Sequence, residues 1–116
     1  MPDAECLFCR IAKRELKADI VAEEEGLLAF KDGNPQAPTH LLIVPTEHVP
    51  TLADVSPSHT TLLGRAMHFI NRLARQFQLG QGGYRVVVNC GRDGGQSVDH
   101  LHFHLLGGRQ LTWPPG

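Results

Sequence analysis

Apolar and polar positions repeat along this chain with two different periods. In "DHLHFHLL", residues 99–106, Leu101, Phe103 and Leu105 alternate with His100, His102 and His104. A period of two marks a β-strand, whose successive side chains point to opposite faces. One face is built for a core and the other carries three imidazoles. In "SPSHTTLLGRAMHFINRLARQFQ" the period is helical, and Leu62, Leu63, Ala66, Ile70, Leu73, Ala74 and Phe77 form one stripe. Ser56 is placed to cap this long helix with Pro57 at its first position, and "GQGG" ends it. Met67 and Phe69 fall off the stripe and suggest a second buried face.

The remaining segments are shorter. "CLFCRIAKRELK" has a brief helical rhythm through Leu7, Phe8, Ile11 and Leu16. "DIVAEEEGLLAFKD" reads as two strands joined by a turn near Glu25 and Gly26, and "GNPQAPT" as a loop. "HLLIVP" is a nearly continuous apolar strand and "YRVVVN" another. A glycine-rich loop, "CGRDGGQSV", separates the latter from the histidine strand, and "RQLTWPPG" forms an irregular tail. The order predicts an α+β domain: an antiparallel five-stranded sheet with one short and one long helix, the helices on one face. The histidine side then faces a cleft.

A length of 116 residues fits one domain, with residues 107–116 as its tail. The net charge of −1 lacks the basic excess that nucleic-acid binding leaves. No run approaches the roughly 20 apolar residues of a membrane span. "MPDAECLFCR" carries acids early and has no long apolar core, so no secretory leader is expected. With no leader, three cysteines fit a reducing, cytoplasmic setting in which thiols are reduced or metal-bound.

Three histidines in strict alternation have a bland reading as a solvated strand face, and two chemical ones. Imidazole is a common metal ligand. It is also a nucleophile and an acid–base group, and as imidazolium it neutralises an anion. "GGQS", residues 94–97, favours the second chemistry. Glycines let backbone N–H groups approach and cradle an anion, and Ser97 adds a hydroxyl. Read alone, this loop is also an ordinary hairpin turn, since it lacks the lysine of a P-loop.

"HLHFHLL" matches His-φ-His-φ-His-φ-φ, with φ apolar, and the chain resembles the histidine triad superfamily. "FKDGNPQAPTHLLIVP", "VVVNCGRDGGQSVDHLHFHLLGGRQ" and "WPPG" are similar to its Hint branch, the nucleotide-binding phosphoramidases, over nearly all of Cys6 to Gly116. The resemblance implies hydrolysis of purine nucleoside 5′-phosphoramidates to a nucleoside monophosphate and an amine. It implies a catalytic set of His100, His102, His104, Ser97 and His40, with His102 the nucleophile, forming a nucleotidyl-histidine that water resolves. His104 would hold a phosphate oxygen. Ser97 and the N–H groups around Gly95 and Gln96 would meet the phosphate, and Asn89 the phosphate or the leaving group. His40 would bond to the triad and set the nucleophile's tautomer, unless it is simply a satisfied histidine at a strand start. Asp32 would take the ribose hydroxyls, unless it is a turn aspartate beside Gly33. Phe8, Ile11, Phe30 and Leu42, with Leu7 and Leu16, would form the base slot, or plain core. Gly33 replaces a bulkier aliphatic residue common in the family and widens the slot. Asp99 also departs from the family pattern, either exposed at the strand start or touching a histidine.

"CLFC" places Cys6 and Cys9 at a Cys-x-x-Cys spacing. Some relatives pair such a motif with a later histidine and with the first triad histidine, which here are His48 and His100. That implies a candidate structural zinc, with none needed for catalysis. The rival reading makes the cysteines small apolar fillers. The resemblance also implies a homodimer whose two sheets join, and a tail whose Trp113 reaches the partner's active site and affects leaving-group choice. Two other functions compete: a nucleotide- and zinc-binding scaffold with little turnover, and a dinucleoside polyphosphate hydrolase or nucleotidyl transferase. Those sister enzymes usually carry glutamine at the position of His104, or lack the "WPPG" tail.

Overall fold

The computed structural model describes residues 5–116; the first four residues, part of the stretch read above for a leader, lie outside the described residues. Cys6 caps a short helix, α1 (Leu7–Ala12), its Sγ accepting from the Cys9 N–H at 3.4 Å. The helix is shorter than its sequence rhythm because Arg14 turns left-handed, at φ 62°. The Glu15 N–H then closes the helix end on the Arg10 carbonyl at 2.8 Å. Strands β1 (Ile20–Glu24) and β2 (Leu27–Lys31) form the expected hairpin, with Gly26 at φ 81° in its two-residue turn. Strand β3 (Thr39–Pro45), helix α2 (Thr60–Gln76) and strands β4 (Tyr84–Val88) and β5 (Phe103–Gly107) follow. The sheet order is β1-β2-β3-β5-β4, and every neighbouring pair is antiparallel.

The helices do not share a face, as the sequence reading had it. Leu27, Ala29, Leu41, Ile43, Phe103 and Leu105 pack under α2, whose buried residues are Ala66, Phe69, Ile70, Leu73 and Ala74. The alternate residues Leu28, Phe30, Leu42 and Val44 pack against Phe8, Cys9 and Ile11 of α1 on the other side. The reason is in β3, where five consecutive residues from Leu41 to Pro45 are buried. A strand apolar on both faces needs cover on both. Phe69 belongs to the main core and not to a second face, whereas Met67 is exposed. Glu24, at the end of β1, clips α2 in place by accepting from Arg65 at 2.7 Å and from Arg72.

Three boundaries also differ from the sequence reading. Ser56 precedes a 3-10 turn, Pro57–His59, so α2 itself begins at Thr60. The helix stops before the glycines: Gln78 turns left-handed at φ 62°, and the Leu79 N–H reaches back to Ala74 O at 2.8 Å. Finally, β5 begins at Phe103, not at His100. The His100 and Leu101 N–H groups leave the ladder for Val98 O at 2.8 Å and Val49 O at 2.7 Å. No helix among the described residues is long and apolar enough to cross a membrane.

Candidate active site

Helix α1, the β1–β2 hairpin, the start of β3 and the approach to β5 enclose an open cleft of about 630 Å³. Phe8, Ile11, Phe30 and Leu42 line its apolar side. Asp32, Gly33, Ser97, His102 and His104 line its polar side. A β-carbon at Gly33 would meet nothing within 4 Å, so the cleft is open there. The structure adds Lys17, Ala18, Asp19, Lys31 and Val98 to the lining, which sequence reasoning did not single out. The signal was the hairpin itself. Once β1 pairs with β2, the Lys31 N–H bonds Asp19 O at 3.0 Å and brings residues 17–19 to the slot. Leu16 packs behind the apolar side and does not line the cleft.

The imidazoles are ordered by main-chain groups. The Gln36 N–H donates to His40 Nδ1 at 3.0 Å, so the neutral His40 ring carries its proton on Nε2. That Nε2–H donates to His104 Nδ1 at 2.9 Å, with Asp32 Oδ2 a more distant neighbour at 3.4 Å. The neutral His104 ring therefore carries its own proton on Nε2. Burial lowers the His40 pKa, and Asp32 opposes that shift. Burial, then the neighbouring His102 and His40, lower the His104 pKa to about 4. His102 has the opposite tautomer. His100 O accepts from its Nδ1 at 2.7 Å, and in the neutral ring Nε2 is then a lone pair. The His102 and His104 rings lie 5.1 Å apart, so a nucleophilic nitrogen sits beside a hydrogen-bond donor. Asp32, His40 and His104 bring their ligand atoms close together. The Gln36 N–H nevertheless keeps a proton on His40 Nε2, which makes the trio a hydrogen-bonded chain and not a metal centre.

The glycine loop is held by its own hydrogen bonds. The Gly95 and Gln96 N–H groups, expected to cradle a phosphate, donate to Arg92 O and Gly91 O, each at 3.0 Å. The Gln96 side chain spans the loop, accepting from the Gly91 N–H at 2.9 Å and donating to Pro50 O at 2.8 Å. Asn89 Nδ2 donates to Gly94 O at 2.7 Å. Ser97 and Val98 are the loop residues that line the cleft. Asp99 is exposed.

Behind the cleft, Cys6, Cys9, His48 and His100 converge, with their ligand atoms all within 4.8 Å of one another. Cys6 Sγ lies 3.2 Å from His100 Nδ1, Cys9 Sγ 3.2 Å from His48 Nδ1 and 3.5 Å from His100 Nδ1. A tetrahedral zinc with Zn–S and Zn–N bonds of about 2.3 and 2.0–2.1 Å sets sulfur and nitrogen about 3.5 Å apart. The cluster fits such an ion. His100 Nε2–H donates to Pro45 O at 2.7 Å, which aims its Nδ1 lone pair at the thiols. A metal-ligating histidine ordinarily shows this outer hydrogen bond. Trp113, by contrast, is 82% exposed in the single chain.

A sheet that seats alternate histidines at a cleft between a short helix and a glycine loop defines a protein of the histidine triad class. The HIT domain family profile matches residues 13–111, and the chain belongs to that family. It is 46% identical to the purine nucleoside phosphoramidase of Escherichia coli (strain K12) over 107 residues, covering 92% of this chain and 90% of that protein. It is also 46% identical to a 14 kDa zinc-binding protein of Zea mays over 118 residues, covering 100% and 91% of the two chains. Among solved structures, a HIT family hydrolase from Legionella pneumophila Philadelphia 1 superposes with a TM-score of 0.95 at 50% identity, covering 97% of this chain and 100% of that one.

Proposed function

We propose that the cleft hydrolyses purine nucleoside 5′-phosphoramidates. The observation that carries this reading is the pair of opposed tautomers: His102 offers an Nε2 lone pair and His104 an Nε2–H beside it. His102 Nε2 attacks the α-phosphorus, forming one P–N bond as the bond to the leaving amine breaks. The amine departs as it takes up a proton. Water then attacks the nucleotidyl-histidine, releasing the monophosphate and restoring the ring. Exchange of one P–N bond for another keeps the first step near balance. His104 donates to a non-bridging phosphate oxygen, whose charge grows in the transition state. Ser97 adds a donor at the cleft rim. Asp32 Oδ1 accepts from the Asn34 N–H at 2.8 Å, and the remaining carboxylate lone pairs take the ribose hydroxyls. The activity named for the E. coli relative supports the reading.

The cluster of Cys6, Cys9, His48 and His100 holds a structural zinc in this reading. Its chemistry there is to tie α1 to the sheet, and His102 is left out of the ligand set. The zinc-binding relative from Zea mays supports it. The chain pairs with a second copy along β4, an edge strand whose Tyr84 and Val86 are exposed, as is Met67 of α2. An unpaired edge with apolar side chains ordinarily calls for cover. Trp113 then has a partner surface to meet and acts on leaving-group choice.

Hydrolysis of adenosine 5′-phosphoramidate, followed with intact mass of quenched protein, tests the mechanism. Wild type releases AMP and shows a transient nucleotide adduct, while His102→Ala does neither but still binds AMP. Wild-type turnover by His102→Ala would falsify the nucleophile assignment.

A further inference from the structure

We propose that Cys6 and Cys9 are positioning residues for the purine: the ion they hold locks α1, and α1 is one wall of the base slot. The inference rests on the metal and nucleotide readings above and links them. The two residues between the cysteines, Leu7 and Phe8, both line the cleft, and Ile11 lines it one turn further on. Phe8 packs edge-on against Phe30, at 5.4 Å between ring centres, and against His102, at 5.1 Å. The wall is thus the part of α1 between and just beyond the two cysteine ligands.

Helix α1 has little stability of its own. It has six residues, where isolated helices shorter than about 12–15 residues are marginal in water. Both thiols link it to the body of the protein, Cys6 to His100 and Cys9 to His48 and His100. An ion at the cluster turns those weak sulfur contacts into coordinate bonds. The phosphate end has main-chain anchors in addition to the ion. The His100 and Leu101 N–H groups are fixed on Val98 O and Val49 O, so the carbonyl that orients His102 stays in place when the ion leaves. Loss of the ion therefore loosens the base slot and spares the phosphate site.

Calorimetric titration of zinc-loaded and chelator-stripped protein, under reducing conditions, tests this with two probes. AMP fills both halves of the cleft, and ribose 5-phosphate only the phosphate half. Stripping raises the AMP Kd at least about fivefold, the low end of ordinary site-to-site coupling, and leaves that of ribose 5-phosphate unchanged. A merely structural role for the cysteines would weaken both probes alike, and that result overturns the proposal. Linkage requires the reverse effect in the loaded protein: at equilibrium, AMP lowers the extent of zinc transfer to a competing colorimetric chelator. This second measurement stands even where stripped protein does not stay folded, and zinc transfer indifferent to AMP overturns the proposal. A chain that takes up no zinc refutes the metal reading as well. Zinc-loaded protein that binds ribose 5-phosphate and AMP with unchanged zinc affinity refutes the coupling alone. Loaded protein that binds neither nucleotide probe refutes the nucleotide reading and the coupling with it.

Discussion

His104 ties stability to pH, and His104→Gln exposes that link. The ring is half-buried, and its pKa falls from the ordinary 6.5 to about 4. In the folded chain it stays neutral at a pH where the unfolded chain protonates it. The unfolded state therefore binds more protons between those two values, and stability falls as pH falls through that window. The contribution is complete above pH 6.5 and is lost progressively towards pH 4. A displacement from 6.5 to about 4 is worth at most ~3 kcal/mol by linkage. Solvent reaching the cleft side of the ring reduces this to roughly 1–2 kcal/mol. Urea unfolding of zinc-loaded wild type and His104→Gln at pH 8, 6.5 and 4.5 measures it. Other acid-sensitive groups, the cysteine cluster included, act on both proteins and cancel in the comparison. Wild type loses roughly 1–2 kcal/mol more than the variant between pH 6.5 and 4.5. Parallel loss in the two proteins refutes the reasoning.

Two further predictions concern packing. Leu105, fully buried under α2, loses about 2–5 kcal/mol on replacement by alanine, read as a shift in the urea midpoint at unchanged slope. A β-carbon at Gly94 would stand 2.4 Å from Cys90 O, so Gly94→Ala forces the loop's backbone apart and costs about 1–3 kcal/mol. The same change at Gly33, where a β-carbon meets nothing within 4 Å, leaves the thermal midpoint within about 2 °C and serves as the control.

The strands, the hairpin and the long helix could be read from periodicity because each has one solvated side or a marked turn. The layer arrangement could not be read as easily. "HLLIVP" was recognised as a continuous apolar strand, yet its consequence, a helix on each face, appears only when α1 is seen to carry Phe8 and Ile11 into the second cluster. The start of β5 was misplaced because alternation of side chains survives where the ladder does not. The chain bends through residues 98–100, and the His100 and Leu101 N–H groups bond Val98 O and Val49 O. At the site, alternation alone marks the triad, whereas Asp32, the apolar cleft residues and the full set of four cluster residues are reached only through the family resemblance of the stretches that hold them. Asp19 and Lys31 are not reached from sequence, because strand pairing brings them to the slot and no local pattern marks that. The loop's internal bonding at Gly95 and Gln96 was equally hidden, since a glycine-rich sequence permits both an open cradle and a closed turn.

The proton positions on His40, His100 and His102 are dictated by Gln36 N–H, Pro45 O and His100 O, all of them peptide groups. Such groups are the same whatever side chain is attached. The loop at residues 34–36 is thus insulated from mutational drift: its exposed side chains can change while the path of the chain keeps the imidazoles correctly wired. Proline at position 36 is the exception, because it alone would delete the hydrogen that starts the chain. His40 would then be able to turn over its tautomer, and His104 would lose the assignment that makes it a donor. What this loop must preserve is its backbone course rather than its residue identities.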